Sequence, residues 1–340
     1  MRFLSVLLTA LLVALPAAVP SIAAAAAPPP FRITMLLFRG CEDACRGFQS
    51  YLRQHEVAAE ITLRDAAQDK PRIAGFVQEI KRTRPDLVVT WGTTVTQEVL
   101  GPWNAPDAAR RLGGIPVVFM IVSDPVAAQV IEAAGKPRKN VTGTLYLLPV
   151  ETQIKAARSY LPFKRVGYIV NPAEANSVST RDELLRLAPA QGFELVQHSL
   201  PVSAGGAPDG STLPQILDVL QSQKVDLIYQ GPDSFLNSRR EVLTDGALAR
   251  QIPVFAAAEA PVKSARALFG VVNKYEDVGR FTAAQAMRVL HDKVRPEDIT
   301  IALTRNFSYL INLPVALQLG RYPPLKLLDV AEIVGVESGP

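Results

Sequence analysis

The chain is poor in the side chains that most catalytic and metal centres need. Only two cysteines and three histidines occur in 340 residues, too few for a structural zinc site of the usual four-ligand kind. His55, His198 and His291 are far apart in sequence, and none falls in a loop expected to face a ligand. There is no Gly-x-Ser-x-Gly elbow and no Walker-type phosphate loop. Charge of one sign is equally scarce. Lys and Arg number 36 against 32 Asp and Glu, and the four surplus cations are scattered. Nucleic-acid binding needs its excess gathered on one face, so none is expected. Beyond the first residues no apolar run is long enough to span a bilayer. The 48% hydrophobic content against 20% charged excludes a disordered chain. The length suits two domains, or one large one.

What is present begins with an address. Arg2 precedes an apolar run over residues 3–14, and residues 21–27 are rich in small side chains. That is the pattern of a signal peptide over residues 1–27, cleaved between Ala23 and Ala27. Pro16 and Pro20 break the run and argue against a permanent membrane helix. No cysteine lies at the cleavage point, so no lipid anchor is expected. The mature protein should be periplasmic. In an exported protein, Cys41 and Cys45 read as a disulfide shaping a local turn, with free thiols as the alternative. A redox-active pair would more usually be Cys-x-x-Cys.

From residue 31 onward, apolar runs alternate with segments of helical period. Strands are expected over 31–38, 59–63, 86–91 and 116–122, and again over 165–170, 193–198, 226–229, 253–257 and 267–272. The helical segments between them argue for parallel strands covered on both faces. The halves also repeat. RPDLVVTWG over 84–92 corresponds to KVDLIYQG over 224–231, and GIPVVF over 114–119 to QIPVF over 251–255, each about 140 residues apart. The fold expected is therefore α/β, with two doubly wound parallel-sheet lobes joined by a hinge. The boundaries expected are 28–147 with 275–303 for the N-terminal lobe, and 148–274 with 304–340 for the C-terminal lobe. Hinge strands are expected at 146–151, 273–276 and 303–307.

Open α/β sheets bind ligands beyond the carboxyl ends of their strands. Two such lobes facing each other define one cleft, lined by loops 39–45, 92–94, 123–126, 171–177, 231–235 and 259–262. Thr93, Thr94, Ser123, Asn171, Asn176, Ser177 and Ser234 furnish these loops with small hydroxyl and amide groups. Thr93 and Thr94 open a helix, whose free N–H groups suit a ligand carboxylate. Asp124, Glu174, Asp233 and Glu259 offer charge to a ligand ammonium, or act as helix caps. Trp91, Phe235 and Tyr275 are aromatics that could stack on an apolar ligand, although Trp91 ends a strand and reads first as core.

The phrases SDPV (123–126) and NPAEANS (171–177) carry a resemblance. So do GTTVT (92–96), NVTG (140–143), IPVF (252–255), Glu259 with Val262 and Lys263, and LINL (310–313). Together they resemble the solute-binding proteins of ABC transporters in the tryptophan-binding-protein-like group, over residues 31 to about 324. The resemblance implies a type I periplasmic-binding fold, no catalysis and no cofactor. It implies capture of a small solute, often an amino acid, between hinged lobes and delivery to a membrane ABC permease. Thr93, Thr94, Ser123, Asp124, Asn171, Asn176, Ser177 and Asp233 match positions that face ligand in such proteins. Three departures stand in the cleft, the first being GPDSF over 231–235, which differs from the usual second-lobe phrase. Asn273 replaces an aspartate common in relatives, and Arg39 lies in a loop that replaces a His-Pro type. Arg39 could hold a ligand carboxylate bidentately or pair with Glu42 or Asp43. A monomer is expected. The same fold could instead serve a membrane sensor, and a carboxylate-only hydrolase is the remaining enzymatic alternative.

Overall fold

The computed structural model describes residues 28–104, 112, 114–133, 136–304 and 307–335. The leader expected over 1–27 lies outside the described residues, as do residues 305 and 306 of the third hinge segment. The strands are β1 (Phe31–Leu37), β2 (Ala59–Asp65), β3 (Leu87–Trp91), β4 (Val117–Val122), β5 (Val141–Leu145), β6 (Arg165–Val170) and β7 (Glu194–Ser199). They continue with β8 (Leu227–Gln230), β9 (Val254–Ala256), β10 (Phe269–Asn273), β11 (Ala302–Leu303), β12 (Phe307–Asn312) and β13 (Ala331–Val334). They form two sheets, ordered β11-β5-β4-β3-β1-β2 and β13-β12-β10-β9-β8-β6-β7. Each is a doubly wound α/β lobe, as the alternation of strand and helix predicts.

The apolar runs become strands because both sheet faces are covered. In the second sheet, Val166, Tyr168, Val170, Leu227 and Tyr229 belong to one core. Their neighbours Ile169 and Ile228 belong to the core on the opposite face. This is the two-residue period of a strand buried on both sides. The repeated phrase performs the same task twice. Asp86 Oδ2 accepts the Arg32 N–H at 2.8 Å, and Asp226 Oδ2 accepts the Lys164 and Arg165 N–H groups at 2.8 Å each. Arg84 and Lys224, two residues before each aspartate, both take left-handed backbone, at φ 46 and 54°.

Two strands depart from the all-parallel expectation, β12 and the β13 that pairs with it in parallel. β12 runs antiparallel to β10. The chain leaves β10 at its cleft end, traverses the first lobe through the helix Tyr275–Leu290 and β11, and returns from the cleft side. It must therefore enter the second sheet in the opposite direction. The returning helix belongs to the first lobe's core through Val278, Ala283 and Ala286. Its contact with the helix Asp43–Gln54 is backbone-close. A Cβ on Gly279 would land on the Ala44 carbonyl, and one on Gly47 on the Glu276 carbonyl. That contact fixes the 39–45 loop and Tyr275 beside the cleft. A disulfide joins Cys41 to Cys45, with Cα atoms 5.2 Å apart. Among the described residues no helix is long and apolar enough to cross a membrane.

Candidate functional site

The carboxyl ends of the strands of both sheets meet around a small cavity. Phe38, Arg39, Trp91, Gly92, Thr93, Thr94, Ile121, Ser123, Tyr146, Ala258 and Tyr275 line it from one side. Glu174, Asn176, Gly231, Pro232, Asp233, Ser234 and Asn237 line it from the other. The space left is about 20 Å³, room for about one water molecule. The cleft is shut.

On the first wall, Gly92 takes φ 92°, where a side chain would be strained, and so turns β3 directly into the helix Thr93–Leu100. Ser123 N–H donates to Thr93 Oγ1 at 3.4 Å, and the hydroxyls of Ser123 and Tyr146 are 3.1 Å apart. β4 changes register between Phe119 and Val122. Within that irregularity Ile121 adopts φ 57°, an uncommon conformation for a β-branched residue. Tyr146 and Tyr275 meet edge to face at 5.6 Å. Burial raises the pKa of both phenols, so both enter the site as neutral hydroxyls.

The second wall is held by its carboxylates. Glu174 accepts the N–H groups of Ser234 and Phe235, each at 2.9 Å, and the Asn176 amide at 3.2 Å. Asn176 also donates to the Pro232 carbonyl. Asp233 Oδ1 accepts from Leu236 N–H at 2.7 Å and from Asn171 Nδ2 at 3.5 Å. Its second oxygen is buried without a partner. Burial, and then the charge of Glu174, push the Asp233 pKa well above the ordinary carboxylate range. Asn176 Oδ1 and, on the first wall, Trp91 Nε1 are likewise buried without partners.

Arg39 spans the two walls. Its Nε and Nη2 donate to Glu42 at 2.8 and 3.1 Å, and its Nη1 donates to the Ser234 carbonyl of the opposite lobe at 3.1 Å. With the Asn237 amide oxygen turned toward it, Nη2 and Nη1 donate there too, at 2.8 and 3.2 Å. The guanidinium lies over the Trp91 ring, 5.0 Å from its centroid. Burial lowers its pKa, but the charge of Glu42 and its hydrogen bond outweigh this and leave it raised. Of the two partners open to Arg39 from sequence, Glu42 takes the bidentate contact.

Of the other anticipated residues, Thr93, Thr94, Ser123, Asn176 and Asp233 line the cavity. Asn171 and Ser177 lie one layer behind it: Ser177 Oγ accepts Asn171 N–H at 2.9 Å, and Asn171 Oδ1 accepts Ala173 N–H at 3.0 Å. Asp124 sits outside, accepting from Val126 and Ala127 N–H at 3.1 and 2.9 Å. Asn273 donates to the Tyr146 carbonyl at 2.6 Å, tying two of the chain crossings together. Glu259 accepts Tyr275 N–H at 3.1 Å. Tyr146, Ile121, Phe38, Ala258 and Asn237 were not anticipated as lining residues. For Tyr146 the signal was its place at a lobe crossing directly after β5. Among the described residues no group of three or more His, Cys, Asp or Glu could hold a metal ion.

A tyrosine-binding protein of Clostridioides difficile (strain R20291) is 27% identical over 255 residues, which span 74% of this chain and 68% of that protein. A Streptococcus pneumoniae ABC domain in complex with L-Trp superposes with TM-score 0.76 at 23% identity, covering 89% of this chain and 99% of that one. A conserved domain protein of Vibrio cholerae gives 0.78 at 24% identity, with the same coverage. A ligand-free, open substrate-binding protein with adhesive properties from Clostridium difficile gives 0.66 at 23% identity, covering 90% of this chain and all of that one. These likenesses carry the type I periplasmic-binding fold. The family model for ABC transporter substrate binding proteins matches residues 36–334. The chain thus belongs to the ABC transporter substrate binding protein family, whose members bind their ligands rather than transform them.

Proposed function

We propose that the protein captures a free α-amino acid between its lobes and presents it to a membrane ABC permease for import. The observation that carries this reading is the set of unpaired buried groups in the cleft. Asn176 Oδ1 is an acceptor without a donor, Asp233 Oδ2 is a carboxyl oxygen without a partner, and Trp91 Nε1 is a donor without an acceptor. Buried polar groups are ordinarily satisfied, so a ligand with a donor at one end and an acceptor at the other completes the site. An ammonium would satisfy Asn176 and Asp233. A carboxylate would meet Trp91 Nε1 and the free N–H groups at Thr93 and Thr94. The tyrosine and tryptophan named for two relatives supply the ligand class.

In this reading the ten contact positions divide by role. Thr93, Thr94, Ser123, Asn176 and Asp233 touch the ligand. Asn171 and Ser177 brace the second wall, Asp124 caps its own turn and Asn273 straps the hinge. Arg39 closes the cleft from above. The moving units are residues 28–147 with 275–303 and residues 148–274 with 304–340. A ligand held by both walls favours the closed arrangement over the open one. Export through a cleaved leader would place this capture in the periplasm.

A thermal-shift screen of the mature chain against the twenty L-amino acids tests the reading, because a ligand of the native state raises the melting temperature by mass action. At least one should raise it, and its N-acetyl derivative should not. No response to any amino acid would overturn the proposal.

A further inference from the structure

We propose that Arg39 determines specificity in this cleft: it occupies the face of Trp91 on which a ligand's aromatic side chain would stack, and so confines the protein to amino acids with small side chains. The inference rests on the amino-acid reading and narrows it.

Trp91 offers a ligand at most one ring face. The side chain is only 1% exposed and is part of the first lobe's core. The guanidinium of Arg39, 5.0 Å from the ring centroid, covers the Trp91 ring at the cavity. Planar guanidinium on an indole is a favourable pairing in its own right. The other aromatics at the cavity are committed elsewhere, Phe38 to the first lobe's core. Tyr146 and Tyr275 pack against each other, and the Tyr146 hydroxyl is paired with Ser123.

Arg39 is also hard to evict. Each of its N–H groups has a partner: Glu42 through two of them, and the Ser234 carbonyl and Asn237 amide through the rest. Its side chain is 7% exposed, and with it in place the cavity holds only about 20 Å³. A small amino acid needs only the lobes to part by the thickness of its own backbone. Arg39 can then keep both Trp91 and Glu42, which belong to its own lobe, and give up only the bonds to Ser234 and Asn237. An indole or phenol must displace the guanidinium from Trp91, leaving Glu42 without its partner and a cation without a ring.

The test is calorimetric titration of glycine, L-alanine, L-serine, L-tyrosine and L-tryptophan into the full mature chain and into three variants. The wild type should bind a small member of this set at least tenfold more tightly than L-tyrosine or L-tryptophan. Arg39→Ala, which bares the ring, should shift that ratio at least tenfold toward the aromatic ligands. Arg39→Met keeps an apolar stem over Trp91 and should preserve the preference for small ligands. Glu42→Gln loosens the anchor without touching the ring and should shift the ratio in the same direction as Arg39→Ala, which keeps the test open if that variant does not fold. A wild type that binds L-tyrosine or L-tryptophan as tightly as the small amino acids would overturn the inference while leaving the amino-acid reading intact. So would an unchanged ratio in both Arg39→Ala and Glu42→Gln. Failure of all five to bind any of the four proteins would overturn this inference, and the amino-acid reading falls with it only if the screen of the twenty L-amino acids is also blank.

Discussion

Asp233 is the residue at which the proposed ligand chemistry can be tested most sharply. Its Oδ1 caps the short helix Ser234–Ser238 through the Leu236 N–H at 2.7 Å. Its Oδ2 is buried and unpaired. Asp233→Asn therefore keeps the acceptor that caps the helix and replaces a carboxyl that can ionise beside a ligand ammonium by an amide that cannot. Losing one partner of a buried, hydrogen-bonded charge pair costs about 2–5 kcal/mol. At about 1.4 kcal/mol per decade, the affinity for the tightest-binding L-amino acid should fall roughly thirty-fold or more. The comparison ligand is the same amino acid with its amine acetylated. That molecule carries no ammonium, so its weak binding should be indifferent to the substitution. Isothermal titration of both ligands into both proteins reads the result. Equal affinity of wild type and Asp233→Asn for the free amino acid would refute the placement of the ammonium.

The same substitution carries an opposite prediction for stability. Asp233 has a raised pKa in the ligand-free fold, chiefly through burial and then through Glu174, so the folded chain holds a proton that the unfolded chain releases above about pH 4. The penalty is absent below that value, grows as the pH rises toward the folded pKa and is constant beyond it. Ligand-free Asp233→Asn should therefore melt above the wild type at pH 7, with the gap closing toward pH 4 in thermal scans. Gly279→Ala drives a methyl into the Ala44 carbonyl and should cost about 1–3 kcal/mol in urea unfolding, the usual range for overpacking. Replacing Cys41 and Cys45 together by serine frees a loop of about five residues, worth about 2 kcal/mol in chain entropy. That loss should appear in the same urea assay and be matched by adding reductant to the wild type.

Much of the architecture was legible because it is written in strong local signals. The runs that became β1, β3, β4, β6 and β8 are apolar on both faces. The two DL phrases mark the same corner in each lobe, down to the aspartate that accepts N–H groups from the neighbouring strand. Other strands were illegible for physical reasons. β5 reads VTGTL, and its central glycine is there because the Phe119 ring occupies the space a Cβ would need. β12 gains its strand character from pairing between β10 and β13, partners distant in sequence. The cleft divides similarly. Thr93, Thr94, Ser123, Asn176 and Asp233 could be placed because loops at strand ends must face it. The contact of Arg39 with Ser234 joins residues 195 positions apart and exists only once the lobes have met. Asn273 and Asp124 stood at apt places in the chain, but their side chains answer local needs: a carbonyl at the hinge for one, two free N–H groups of a turn for the other.

In the proposed complex a single ligand is held by both walls at once, its ammonium at Asn176 and Asp233 and its carboxylate at Thr93 and Thr94. A crystal structure of the mature protein with its tightest-binding L-amino acid measures this directly. The amine nitrogen should lie within hydrogen-bond distance of Asp233 Oδ2 and Asn176 Oδ1, and the carboxylate against the start of the helix Thr93–Leu100. A ligand bound to one lobe alone, or outside the cleft, would contradict it.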